Sequence, residues 1–462
     1  MNSVELSDLE SRRITNKLAP IYSIPSELLA EIFKFGQVLQ WEDNELAGTS
    51  TSQLVVDQSF EVLVTHVSSH LREVAIGTPQ LWSDITISSR ISSAELETYL
   101  ERTDGCALDV RIETGYTMPM DPLMIAQIDT IFLHSIRYRQ LVIDCVYESS
   151  AQLVVQRFSG VAMPNLKHLS IGIDTVEGLF PPGRRRSLGT ETPYLSFVRL
   201  RGLALAIFSL QHHTITTLHL DQTTFTPILY STFRRLITSL STLQNLSLYG
   251  DLFSPMTTPW TVLAIRDPID IPTLLRLRIS GVGGDMYSGI LQGIIAASLT
   301  SIVLKNLKQY DLQPFVDSPS SSIKFPLLHE LVLIDPDMTS DEYTQLFHTF
   351  PTTTSFAVYH RETADVLRLL ADDPTDGFIP WPRLRTLSLI VDDSDDHVVA
   401  DIVERRQALG CPLERMRLGT TGLLSSIPHF SWLQDHVLVD GFVTFEAWPE
   451  TNLRDLKDTL FQ

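Results

Sequence analysis

The chain has 462 residues, of which 44% are hydrophobic and 19% charged, and its formal net charge is -20. That length exceeds one ordinary core, so several domains or a repeat array are expected. The acidic balance argues against general nucleic-acid binding, which needs a basic footprint to displace counterions from phosphates.

Residues 1–20 lack the cationic start and apolar run of a signal peptide and are expected to be poorly ordered. No apolar stretch is long enough to span a bilayer. The three cysteines, Cys106, Cys145 and Cys411, are far apart, which fits a reducing compartment and offers neither a disulfide framework nor a zinc site. A soluble protein of the cytoplasm or nucleus is the expectation.

From Ile24 to Phe33 the sequence Ile-Pro-Ser-Glu-Leu-Leu-Ala-Glu-Ile-Phe predicts a helix. Its apolar residues share one stripe behind a proline suited to the first turn. The polar stretch Gln37–Gln53, with its glycine, serines and threonines, reads as a loop. Helical spacing resumes over Phe60–Ile76 and closes with Gly77-Thr78-Pro79-Gln80-Leu81-Trp82.

A repeat then takes over: aliphatic, two variable residues, aliphatic, one variable, aliphatic. Its clear copies begin at Leu166, Leu195, Ile215, Leu243, Leu274, Leu299, Leu328, Leu384 and Leu413, with a weaker one at Thr353. Successive starts are separated by 20 to 31 residues, at or slightly above the period of leucine-rich repeats. Weaker copies at Trp82, Ala107 and Tyr138 extend the series backwards to about residue 80. Alternating aliphatic residues turn one face of a short strand inward, and each strand stacks on its neighbours in parallel. Several returns carry helical spacing: Met120–Tyr138, Ser231–Thr242, Asp285–Ser298, Asp341–Phe350, Glu362–Ala371 and Asp395–Leu409. Val398, Val399, Ile402 and Val403 share one face of the last, and Ser92–Glu95 and Thr339–Glu342 look like capping boxes. No such unit buries its apolar face alone, so the stack is the fold.

The N-terminal strings carry a resemblance. Ile24-Pro25-x-Glu27-Leu28-Leu29-x-x-Ile32-Phe33 is similar to the opening helix of the F-box family. Val67-Ser-Ser-His-Leu71-Arg72-Glu-Val74-Ala75, followed by Thr78-Pro79-x-Leu81-Trp82, is similar to its later half, in the form of many fungal F-box proteins. Leu71 stands where that family usually has tryptophan. Helices followed by leucine-rich repeats resemble the order of F-box/leucine-rich repeat proteins. The expected architecture is therefore α/β: a leucine-rich repeat solenoid over 81–420, a parallel strand ladder with helical returns. A small all-α F-box-like head over 21–80 precedes it, and a C-terminal cap over 421–462 closes it.

The resemblance implies that the head docks a Skp adaptor, and through it a cullin–RING ubiquitin ligase, while the repeats hold a protein substrate. Matched position by position, the adaptor contacts would be Ile24, Pro25, Leu28, Leu29, Ile32, Phe33, Val67, Leu71 and Val74. On apolar pattern alone, the preferred reading of these helices is a cap for the open end of the array, which would make the chain a free-standing scaffold; the Ile-Pro-x-Glu-Leu-Leu string and the downstream match reverse that preference.

The third, fifth and seventh positions of the repeats face the opposite side of the strands. In the ten clearer copies they hold seven basic residues and two acidic ones, Asp221 and Glu330. Arg199, Arg201, Arg276, Arg278 and Lys305, with His219 among them, form a candidate surface for an acidic or phosphorylated substrate segment. The basic loop at Arg184-Arg185-Arg186 reads as solvated rather than as a targeting patch, and the acidic run Asp392-Asp393-Ser394-Asp395-Asp396, which lacks the glycine and terminal glutamate of a calcium loop, reads as charge at the N-terminus of the following helix. His212-His213 and the pair His66/His70 lack partners at metal spacing. No nucleophile elbow, phosphate loop, metalloprotease helix or dinucleotide fingerprint is present, so no catalysis, cofactor or metal is expected.

Overall fold

Each aliphatic triplet becomes a strand, because alternation buries every second side chain while the backbone groups pair sideways. The computed structural model describes residues 19–441 except 48–58, 116–119, 159, 176–185, 188–191, 211–212, 223–227, 251–259, 282, 319–320, 322–323, 361–363, 372–377, 391–395 and 420–429. Most of the expected N-terminal segment 1–20, most of the expected cap 421–462, Arg184, Arg185 and Asp392–Asp395 lie outside these residues.

The described chain is α/β and forms two compact units. The first runs to Val146 and takes in Ser150–Lys167; the second begins at His168 and includes Tyr147–Ser149. The first holds α1 (Ser26–Ala47), α2 (Phe60–Val67), α3 (Ser69–Ile76), β1 (Asp84–Ile87), α4 (Ser93–Arg102), β2 (Leu108–Thr114), α5 (Pro122–Phe132), β3 (Tyr138–Tyr147) and α6 (Glu148–Phe158). Its strands pair in parallel in that order, with Ile85 beside Val110 and Val110 beside Leu141. The loop expected from Gln37 begins later, since α1 continues to Ala47. Nothing between 37 and 47 breaks a helix, and the glycine, serine and threonines all fall at 48–52.

The second unit stacks β4 (His168–Thr175), β5 (Phe197–Gly202), β6 (Thr217–Gln222), β7 (Asn245–Gly250), β8 (Arg276–Ser280), β9 (Ser301–Lys305), β10 (Glu330–Ile334), β11 (Ser355–Tyr359), β12 (Thr386–Ile390), β13 (Arg415–Gly419) and β14 (Leu438–Gly441) in chain order. The fourth positions of the triplets lie side by side from Leu169 through Val198, Leu218, Leu246, Leu277, Ile302, Leu331, Phe356 and Leu387 to Met416. From Leu166 to Leu418, no first, fourth or sixth residue of a triplet is more than 4% exposed. The returns carry α7 (Ala204–Ile207), α8 (Tyr230–Thr238), α9 (Trp260–Arg266), α10 (Gly284–Gly293), α11 (Gln313–Val316), α12 (Ser340–Thr349), α13 (Ala364–Ala371), α14 (Asp396–Ala408) and α15 (Phe430–His436). Thr339 and Glu342 close the expected capping box of α12, and Ser92 caps α4 through the Glu95 N–H. In α14 the buried stripe is Val399, Ile402 and Val403, with Val398 at its margin.

Two polar devices join the rungs, and a third closes a turn within a rung. The second-position carbonyl of one rung accepts two N–H groups of the next, as Ser196 does from Thr216 and Thr217 (2.9 and 3.0 Å) and Thr354 from Arg385 and Thr386 (2.8 and 3.0 Å). A threonine just before the triplet donates its hydroxyl to the first-position carbonyl of the preceding rung: Thr214 to Leu195, Thr242 to Ile215, Thr273 to Leu243, at 2.7 to 2.9 Å. A turn also precedes the strand, and Leu195, Leu274, Leu328 and Leu384 each donate N–H to the carbonyl three residues back. Pro193, Pro272, Pro326 and Pro382 pre-set φ at the second turn position. Buried Arg406 completes the last of these turns by donating to the carbonyls of Pro380 and Trp381 (3.1 and 2.9 Å).

Gly202 ends β5 at φ 60°, and a Cβ there would lie 2.2 Å from the Ile173 carbonyl oxygen of the adjacent rung. Gly410 has a similar φ of 72° but open space around it. Gly410→Ala should therefore cost only the left-handed penalty of about 1–2 kcal/mol. Gly202→Ala should cost at least about 2 kcal/mol more, because the strands must part. Urea unfolding midpoints of the two variants measure the difference.

Candidate functional site

The head is built around α1. Pro25 precedes its first turn, where the missing N–H is no loss, and the Leu29 N–H closes that turn on the Pro25 carbonyl (3.0 Å). Glu27 sits favourably at the positive end of the helix. The expected single apolar stripe is in fact two faces. Leu29 and Phe33 (0 and 5% exposed) turn inward with Leu71, Val74 and Ala75 of α3 and with Leu81 and Trp82. Leu28 and Ile32 turn outward (56 and 51% exposed). Residues 28 and 29 are about 100° apart on a helix, and α2, α3 and the Pro79–Trp82 turn cover one side of α1.

The nine expected adaptor contacts therefore divide. Pro25, Leu28, Ile32 and Val67 are exposed, and Ile24 is half-buried just before α1. Leu29, Phe33, Leu71 and Val74 are interior residues that hold the head together, so their expected role as contacts is corrected. The outward face also contains residues the sequence did not single out. Phe35 and Leu39 are 69 and 58% exposed and continue Leu28 and Ile32 at spacings of 4, 3 and 4, one uninterrupted apolar stripe along α1. Val67 at the end of α2 (66% exposed) and Ile21 are further uncovered apolar residues of the head.

A buried polar lock fixes the inward face. Glu61, at 5% exposure, accepts from the Gln37 amide (3.0 Å) and from the Tyr99 hydroxyl (2.6 Å). Gln37 also donates to the Leu81 carbonyl (3.0 Å). Burial, then the Glu61 carboxylate, hold the Tyr99 phenol far above its ordinary pKa, so it remains a donor across the physiological range. Trp82 stands edge-on to Tyr99 at 5.1 Å, donates its indole N–H to the Ala75 carbonyl (2.9 Å) and lies under the Arg102 guanidinium at 4.1 Å. The lock welds α1 and α2 to α4, the return after the first strand. Its one sequence signal was Glu61, an acid set between Phe60 and the apolar run Val62–Val64.

The basic residues of the strand face do not form the expected anion surface. Arg199 pairs with Asp221 of the next rung (3.2 Å), and Arg201 with Asp174 of the preceding one (3.0 Å). Burial raises the Asp221 pKa, while Arg199 and Arg201 oppose that rise. His219, Arg278 and Lys305 are buried, at 6, 1 and 8% exposure. His219 leans on Phe197 (5.0 Å), which stacks on His168 (4.0 Å). Of the six, Arg276 alone is exposed, and its guanidinium reaches the Asn245 side chain at 3.4 Å. Parallel strands about 4.8 Å apart bring residues of neighbouring rungs into contact, so charges far apart in sequence pair with each other. Further along the same face Val303, Val332, Ile334 and Ala357 form an apolar cluster flanked by Tyr249 and Tyr359.

Among the described residues no three His, Cys, Asp or Glu side chains are grouped to hold a metal. Nor is any helix of those residues long and apolar enough to cross a membrane.

The two faces of α1 make opposite demands. Leu28→Asp and Ile32→Asp should each change stability by no more than about 0.5 kcal/mol, as exposed substitutions do. Leu29→Asp and Phe33→Asp should each cost more than about 3 kcal/mol through a lost core side chain and a buried carboxylate. On the strand face, Arg276→Glu should be tolerated and Arg278→Glu should not. Urea titrations followed by circular dichroism read all six. No model of a known protein family matches the chain, and no curated protein matches it either.

Proposed function

We propose that this chain is the substrate-recognition subunit of a Skp–cullin–F-box ubiquitin ligase, with an F-box head docking the adaptor and a leucine-rich repeat solenoid holding a protein substrate. The observation that carries this reading is the exposed stripe Leu28, Ile32, Phe35 and Leu39, which needs a groove from another molecule. Buried side chains of this kind contribute about 1.5–3 kcal/mol each, so four supply roughly 6–12 kcal/mol before the ~4–15 kcal/mol cost of association. Ile21 and Val67, also exposed, would add to the same contact.

Such a protein makes no covalent bond itself. It raises the effective concentration of the target near the charged ubiquitin carrier, and it would act in the cytoplasm or nucleus. The burial of Leu29, Phe33, Leu71 and Val74 favours a second reading, in which the helices only close the end of the ladder and the chain is a free-standing scaffold.

Co-purification with a Skp adaptor distinguishes the two. Under the ligase reading the wild-type chain binds the adaptor, and Leu28→Asp with Ile32→Asp abolishes binding while the unfolding midpoint stays unchanged. A wild-type chain that fails to retain the adaptor refutes the ligase reading in favour of the scaffold.

A further inference from the structure

The return from β9 to β10 carries an amine whose position is fixed from both sides. Lys324 follows α11, precedes the turn into β10 and is half-buried. The next residue, Phe325 (4% exposed), anchors the backbone in the interior, with its ring 6.3 Å from that of Phe315. The Lys324 amine reaches the last turn of α10 and donates to the Gln292 carbonyl. Gln292 also holds the other end of this return, because its side-chain amide donates to the Pro314 carbonyl.

That carbonyl is the amine's one hydrogen-bond partner among the described residues, and no carboxylate of those residues pairs with it. The negative end of α10 favours a cation, and burial opposes one. Burial wins, and the Lys324 pKa is pushed down to about 8. Other lysines are placed differently: Lys34 pairs with Glu31 (2.7 Å), and Lys305 is buried. The chain has only seven lysines, so few amines compete with this one.

Protonation decides what such an amine can do. An ammonium has no lone pair to give, whereas a neutral amine that donates N–H to a carbonyl keeps its lone pair free. At pH 7.5 about one Lys324 amine in four is neutral, against about one in a thousand for an ordinary lysine. Lower basicity returns part of that gain, because nucleophilicity falls with it. The remainder still favours Lys324, as it does for desolvated nucleophilic lysines in general.

We propose that Lys324, held against the Gln292 carbonyl without a carboxylate partner, is a site of acylation by a small acyl thioester. The Lys324 Nζ lone pair attacks the thioester carbonyl carbon, the N–C amide bond forms as the C–S bond breaks, and the proton lost from nitrogen leaves with the thiol. The product suits its surroundings: an amide keeps one N–H for the Gln292 carbonyl and carries no charge for burial to oppose. The reaction involves neither the α1 stripe nor an adaptor.

Incubation of the full chain with acetyl-coenzyme A, followed by peptide mass spectrometry, reads acylation at Lys324. An N-terminally blocked synthetic peptide of residues 318–330 gives the rate of the same lysine without the fold. At pH 7.5 Lys324 of the folded chain should react at least about fivefold faster than the peptide. Its rate should level off above about pH 8, while the peptide's continues to rise to about pH 10. The assignment is overturned if Lys324 reacts no faster than the peptide, or if its rate rises with the peptide's to pH 10.

Discussion

Register between neighbouring strands is the constraint on which the rest of the second unit depends. Fourth- and sixth-position aliphatic residues lie side by side from Leu169 to Met416 and from Ile171 to Leu418. A shift of one residue in any strand would send its aliphatic pair to the other face. The double-acceptor carbonyls and the threonine hydroxyls bind each rung to the one before it at fixed offset, and apolar burial does the same from inside. Polar and apolar terms therefore select the same alignment, which is the consistency expected of a well-specified fold.

That alignment also explains why the strand face is not a basic platform. Stacking places Arg199 beside Asp221 and Arg201 beside Asp174, partners separated by 22 and 27 residues in sequence. Once paired, these guanidiniums serve the ladder. The exposed apolar stripe of the head lies elsewhere, on the outward side of α1.

The ladder was legible because its signal is local and repeated: period-two aliphatic residues recurring at near-constant intervals need no knowledge of distant partners. The return helices α5, α8, α10, α12, α13 and α14 were legible for the same reason, with Thr339 and Glu342 as a start signal, whereas α6, α7, α9 and α11 were not anticipated. Three things were not. The helical stripe of the head contains Leu28, Leu29, Ile32 and Phe33 together, and periodicity alone does not say which side α2 and α3 will cover. The strand-face charges were counted correctly, yet a count is blind to pairing between rungs. The Glu61–Gln37–Tyr99 lock joins residues 24 and 38 apart. Such relations exist only in three dimensions.

The carbonyl that serves two N–H groups has a genealogical consequence. Each rung obtains its polar closure from its immediate neighbours, and what it offers the next is nearly identical at Ser196, Thr216, Gln244, Leu275, Thr300, His329 and Thr354. Units joined by interchangeable couplings can be gained or lost whole by unequal crossing-over, with the flanking units rejoining through the same bonds. Length variation in such a lineage is then expected in steps of an entire repeat, with single-residue insertions confined to the returns.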